Sequence, residues 1–260
     1  MRCKLCLKVI RHPSEKSKML QICGYCSSFK LVNYKQFTHV DHPDIPEIKR
    51  INLDMMRHYE TPTGTYISIT TLLHSLPPPP GLVEWKERVG EDVANYMMNA
   101  GGRRGTKLHR AVESYLSNNL TQNLKQEYGV VAAGLFELMQ PELQYINNIR
   151  ALEKSIYSTT LEIAGTTDCV AEFDGILSII DFKSSTWMKD EESIKVYLIQ
   201  ATFYAIAWEE LTGEKIEQIV IIMASEDGKV GVFRSKPSKH LEELKEAIQQ
   251  YNSGDNESKS

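Results

Sequence analysis

The spacing of apolar positions changes along the chain, and the changes mark out its elements. From Glu84 onward the pattern is helical, and in 106–118 Leu108, Val112, Tyr115 and Leu116 recur at helical spacing. Thr106, just after Gly105, is placed to cap this helix, and His109 lies beside its apolar stripe. Helical patterns continue through 125–147. The period then shortens: 153–163 alternate weakly, 165–173 and 176–183 read as strands, and Asp174-Gly175 between them is a two-residue hairpin turn. An amphipathic helix over 191–211 aligns Ile194, Leu198, Ala201, Ala205 and Trp208. The run 219–223 is a buried strand that pairs with 229–234 across Asp227-Gly228, and Ser238 caps a last helix whose inner face is Leu241, Leu244, Ile248 and Tyr251. The order predicts an α/β domain with a central mixed sheet flanked by helices. Residues 36–65 show little periodicity and read as linker and irregular approach structure, and 77–81 as an extended proline loop.

The composition of the 260 residues, 42% hydrophobic and 25% charged, is that of a soluble globular protein, neither disordered nor fibrous. No apolar run approaches the roughly 18 residues that span a bilayer, and Met1-Arg2-Cys3-Lys4 has no signal core, so the expectation is a cytoplasmic protein without membrane association. The net charge of −4 hides an asymmetry. Residues 1–35 carry eight basic side chains against Glu15 alone, a charge of +7, which leaves −11 on the remainder.

That basic segment holds Cys3, Cys6, Cys23 and Cys26 in a C-x2-C-x16-C-x2-C pattern. Two such knuckles bring four thiolates together as a tetrahedral zinc site. Two disulfides are the alternative, disfavoured in a reducing compartment, and a segment so poor in apolar side chains needs a metal to fold. Four thiolates leave zinc no open position, so its role would be structural. The expected organisation is a zinc-binding module and linker at 1–40, a main domain at 41–252 and a disordered tail at 253–260. The basic surface of the module suits a phosphate backbone, with a solvated face as the plainer alternative.

The hairpin carries the chemistry. With Asp174-Gly175 as its loop, facing residues sum to 349, and Asp168 falls opposite Asp181. Like charges facing each other on paired strands are destabilising unless neutralised, and a divalent cation is a natural remedy. Lys183 lies two residues on, on the same face as Asp181. Two carboxylates on Mg2+ with a lysine alongside is equipment for phosphodiester hydrolysis. A solvated ladder of two acids and a lysine is the plainer reading, but Ile179-Ile180 make this a buried strand, where an unpaired carboxylate is costly.

Asp168 followed by Asp181-Phe182-Lys183 resembles the PD-(D/E)xK nuclease signature. Gly105-Thr106-Lys107-Leu108-His109, Gly165-Thr166-Thr167-Asp168-Cys169-Val170-Ala171 and Gln200-Ala201-Thr202-Phe203-Tyr204 narrow the likeness to the RecB-like branch. Within it, the chain is most similar to the mitochondrial genome maintenance exonuclease group and its phage relatives, from Ile67 to Tyr251. The resemblance implies a restriction-endonuclease-like fold and a metal-dependent DNA exonuclease acting on single-stranded or frayed ends. A flap-type endonuclease and an inactive binding adaptor are the alternatives. It further implies that Asp168, Asp181 and the Phe182 carbonyl ligate Mg2+ or Mn2+, that Lys183 serves the attacking water, and that His109 joins the metal or phosphate region. Glu153 matches an acid that often precedes the hairpin, and Gln200 and Tyr204 would contact the site or the strand. Arg103, Arg104 and Lys107 form a basic cluster suited to phosphates. Cys169 has no downstream cysteines and reads as a buried small side chain rather than an iron–sulfur ligand. The four-cysteine module lies outside the resemblance, and a replication or recombination protein is a candidate partner for it.

If the four thiolates hold zinc, elemental analysis of the purified protein will find about one zinc per chain. Cys23→Ser will release that zinc while the nuclease domain keeps its fold, and folded protein without zinc would refute the assignment.

Overall fold

Asp174 and Gly175 both adopt positive φ, 55° and 78°, as a tight hairpin turn with the right-handed twist of its strands requires. They join β5 (Ile163–Phe173) to β6 (Ile176–Ser185), and the observed pairs run from Phe173↔Ile176 to Cys169↔Ile180 in the expected register. This computed structural model describes residues 35–257 apart from Pro79 and Gln122; the four-cysteine segment, and with it the expected zinc site, lies outside the described residues.

Around that hairpin the chain builds a mixed sheet. β1 (Lys49–Leu53), β2 (Met56–Thr61) and β3 (Gly64–Ser68) form an antiparallel meander, and β4 (Ile146–Ser158) pairs with β5 along most of its length. β6 runs parallel to β7 (Gln218–Ser225), and β8 (Val230–Ser235) closes the far edge. Helices complete the order: α1 (Ile69–Ser75), α2 (Pro80–Val89), α3 (Glu91–Leu116), α4 (Leu124–Tyr128), α5 (Val130–Leu143), α6 (Lys195–Thr212) and α7 (Leu241–Glu257).

Strand alternation sorts the core into two layers. Val170, Ile179, Ile219 and Ile221 face α1, α6 and α7 through Ile69, Leu72, Leu198, Ala201, Trp208 and Leu244. Cys169, Ile180, Phe182, Val220 and Ile222 face the other way, onto Leu108, Val112 and Leu116 of α3 and Leu135, Phe136 and Met139 of α5. With both faces covered, β7 is buried at every position, which explains its continuous apolar run.

The sheet is forked. β5 pairs with β3 at Ile163 and Ala164, and with β6 from Cys169 onward. Among the described pairings neither strand reaches Gly165–Asp168 on that edge. Here side chains press onto the face of β5: a β-carbon on Gly165 would lie 2.8 Å from Tyr204 Cε1 and 3.0 Å from Ile69 Cγ2.

Several local expectations are corrected. Residues 49–68 form β1 to β3 rather than irregular structure; β1 is mostly exposed, so it lacks the apolar alternation that marks a half-buried strand. The helix read as starting at Thr106 begins at Glu91 and runs through Gly101, Gly102 and Gly105. Thr106 does not cap it, and its hydroxyl donates to Gly102 O at 3.1 Å instead. Helical structure ends at Leu143 and β4 begins at Ile146. α7 starts at Leu241 after a short 3-10 turn over Pro237–Lys239, so Ser238 is not its cap, and it continues to Glu257. Phe37 and Ile45 are buried in the two core layers, so the packed body reaches back before residue 41. Among the described residues no helix is long and apolar enough to cross a membrane.

Gly165→Ala forces the Tyr204 ring or Ile69 to move and will lower stability by about 1–3 kcal/mol in urea denaturation. Gly134→Ala, where an added β-carbon meets nothing within 4 Å inside α5, will be neutral or stabilising by about 0.5–1 kcal/mol.

Candidate active site

Asp168 sits at the crotch of the fork. In a two-residue hairpin the hydrogen-bonded pairs alternate, so after Cys169↔Ile180 the next rung belongs to the Phe182 N–H. That N–H donates to Asp168 Oδ2 at 2.8 Å, so the carboxylate takes the ladder's donor at the point where β5 leaves β6. On β6, Asp181 is 1% exposed, and the Lys183 ammonium lies 2.7 Å from its Oδ1 and 2.6 Å from its Oδ2. The Asp181 Oδ2 is buried and accepts no hydrogen bond of good geometry.

His109 arrives from the opposite layer. Leu108, Val112 and Leu116 anchor α3 on the core, and this sets His109 Nδ1 3.4 Å from Asp168 Oδ1 and 3.7 Å from Glu153 Oε1. Glu153 is held in the left-handed region, φ 46°, within β4. For a residue with a β-carbon that conformation costs about 1–3 kcal/mol and persists where surrounding structure over-determines it. Donor atoms of His109, Glu153 and Asp168 all lie within 4.8 Å of one another.

The charges are interlocked. Burial disfavours ionised His109, but the Asp168 charge and hydrogen bonding to Asp168 and Glu153 outweigh it and raise the imidazole to about 10. Burial likewise opposes ionisation of Asp168, yet His109, then Lys183 and the Phe182 N–H, hold it below the usual range. Asp181 is the reverse: burial, reinforced by the Asp168 charge, raises it to about 6 against the pull of Lys183. Lys183 is raised because Asp181 and Asp168 overcome its own desolvation. The ladder ends at Cys169↔Ile180, one rung short of the expected Asp168–Asp181 pair, and the repulsion between these neighbouring carboxylates is met by two side-chain cations, a remedy beyond the cation inferred from sequence.

Tyr204 and Gln200 do meet on one face of α6. Gln200 Nε2 donates to the Tyr204 hydroxyl at 2.9 Å, and burial, with the Asp181 and Asp168 charges adding to it, pushes the phenol well above its ordinary value, so it remains a neutral donor. Phe182 is buried on the opposite layer, and its backbone N–H is what touches the site. Of the basic cluster, Arg104 pairs with Glu226, whereas Arg103 and Lys107 are exposed. Cys169 is a buried free thiol, as expected. Sequence reasoning missed Tyr197, whose ring centre lies 5.0 Å from Lys183 Nζ. Its spacing three residues before Gln200 on α6 was the available signal. It also missed Arg110 and Glu113, which with Gly102, Gly105, Thr106, His109 and Glu153 line an open cleft of about 410 Å3 beside the acids.

A mixed sheet that splits beside the buried Asp181 and the half-buried Asp168, with helices on both faces, fits a nuclease core of the restriction-endonuclease type. The chain belongs to the PD-(D/E)XK nuclease superfamily, whose family model matches residues 84–256. It is 34% identical over 126 residues to mitochondrial genome maintenance exonuclease 1 of Homo sapiens, covering 47% of this chain and 34% of that protein. The Mus musculus protein of the same name is 36% identical over 126 residues, covering 45% and 36%. That of Xenopus tropicalis is 28% identical over 143 residues, covering 52% and 40%. The chain thus spans about a third of the length of the mammalian relatives.

Lys183→Met removes the cation paired with a buried carboxylate and will destabilise the protein by about 3 kcal/mol in EDTA. Adding Asp181→Asn will recover most of that loss, because the uncompensated charge disappears with its partner. Additive losses in urea titrations of the two single variants and the double variant would refute the coupling.

Proposed function

We propose that this chain is a metal-dependent DNA exonuclease that hydrolyses phosphodiester bonds from single-stranded or frayed ends. The observation that carries the reading is the convergence of Asp168, Asp181 and Lys183 with His109 at the fork. The names its relatives carry, as exonucleases, agree with it.

The residues suit a hard divalent ion. Carboxylate oxygens favour Mg2+ or Mn2+, and the clustering of Asp168, Glu153 and His109 donor atoms within 4.8 Å of one another would fit around one such ion. Asp168, Asp181, the Phe182 carbonyl and His109, the last after losing its proton, would hold it, and the Glu153 carboxylate lies close enough to His109 and Asp168 to join them. When bound, the ion supplies Lewis acidity to the phosphate and lowers the pKa of a coordinated water.

The chain's own groups do the rest. Lys183 holds the attacking water by its ammonium and offsets charge that develops on the phosphate. Tyr204, buried beside the acids, kept protonated and braced by Gln200, would position the site from within rather than reach the strand. Arg103 and Lys107 provide cations for neighbouring phosphates. The basic four-cysteine module, with structural zinc, would add affinity for the DNA backbone or hold a replication or recombination partner.

End-labelled single-stranded, duplex and circular DNA, each incubated with Mg2+ or EDTA, test the reading. Single-stranded ends will be digested only with metal, and circles will survive. Cleavage of circles would mean an endonuclease, and binding without cleavage would mean an adaptor. Asp181→Asn and Lys183→Ala will each lower turnover by about 10^2-fold or more. Calorimetric titration will separate them, since Asp181→Asn weakens Mn2+ binding and Lys183→Ala leaves it comparable.

A further inference from the structure

The loop between β6 and α6 carries side chains that neither the core nor the catalytic group explains. Met188 packs on the core, and its sulfur would lie 3.0 Å from a β-carbon on Gly231 of β8. Ile194 is buried, and Asp190 Oδ1 accepts the Ser193 N–H at 2.9 Å. The loop is thus pinned at its middle and at its end. The residues flanking the Met188 anchor are left to project. Trp187 is 70% exposed. Lys189 turns back onto Tyr197: its ammonium donates to the hydroxyl at 2.8 Å and lies 4.8 Å from the ring centre.

The same ring carries Lys183 Nζ at 5.0 Å, so two ammonium groups share one phenol. They differ in their counter-charges. Lys183 is matched by Asp181, whereas among the described residues no carboxylate forms an ion pair with Lys189. An ammonium whose partner is a neutral hydroxyl keeps its full attraction for an incoming anion. Trp187 is four residues from Lys183, so at most ~14 Å of extended chain separates them. Its neighbour's anchor leaves the indole no core to turn into, and an exposed indole is a surface on which any base can stack.

We propose that Trp187, Lys189 and Tyr197 form a nucleotide subsite beside the reaction centre. Lys189 binds the backbone phosphate adjoining the one attacked, and Trp187 stacks on the base of that nucleotide. Tyr197 is a positioning residue that ties Lys189 to Lys183, so that phosphate capture and water activation share one rigid ring. Such a subsite takes a single strand of any sequence, because stacking requires a splayed base and reads no edge. The inference rests on the nuclease reading and deepens it by specifying how the strand is held.

Binding of a fluorescent single-stranded oligonucleotide, with Ca2+ in place of Mg2+ to suppress turnover, tests it. Trp187→Ala will weaken binding about 10-fold or more, and Trp187→Phe will retain most of the affinity. On an oligonucleotide of the same length with abasic residues at the bound end, wild type and Trp187→Ala will bind alike, an equality that a merely structural role for the indole does not produce. Lys189→Ala will reduce the slope of log affinity against log salt by about 0.7. Wild-type affinity in Trp187→Ala, or an equal loss on normal and abasic strands, would overturn the subsite while leaving the nuclease reading intact. A wild-type chain that neither binds nor cuts single-stranded DNA would overturn both.

Discussion

Charge balance at the fork of the sheet is the constraint on which the site depends. Asp181 is almost wholly buried, and Asp168 is the carboxylate expected to face it. Two such groups cannot both stay ionised without cations close by. The chain supplies them from opposite layers: Lys183 from the strand that bears Asp181, and His109 from α3 across the sheet. Asp168 is thereby held below the usual range, and Asp181 is raised to about 6.

The fork exists because several local features agree. Gly165 leaves room for the Tyr204 ring and Ile69 where a strand partner is missing. Asp168 consumes the Phe182 N–H that would otherwise extend the β5–β6 ladder. Glu153 accepts a strained backbone conformation in the strand on the other edge, beside the imidazole. Strain and an interrupted ladder are both costly, and both concentrate where the acids meet. The surrounding layers, packed on both faces, hold these departures in place.

The helices divide the remaining work. The C-terminal half of α3 buries one face, aims His109 and borders the open cleft with the other, whereas its first half buries Ala94 alone among the described residues. α6 is buried through its middle, sets Tyr197 in its first turn against Lys183, and pairs Gln200 with the buried Tyr204 further along. Rigid elements thus carry the polar groups, and the pinned β6–α6 loop brings exposed side chains to the same edge.

Much of this was legible in the sequence by itself. The Asp-Gly turn fixes a hairpin register by local backbone geometry, and alternation then places Asp181 and Lys183 on one face, so the hairpin and its acids needed no tertiary information. The buried runs of β6 and β7 and the apolar stripe of α6 follow from the same periodicities. The exposed β1 escaped notice because a strand with little burial has no pattern to show, and the N-terminal half of α3 because its helix is not held by an apolar face. Tertiary structure alone decided that Lys183 and His109 each take one carboxylate, that β5 divides its edge between β3 and β6, and that Tyr197 stands between two lysines. Those relations join residues far apart in the chain, and spacing along a sequence carries information only within an element or across a tight turn.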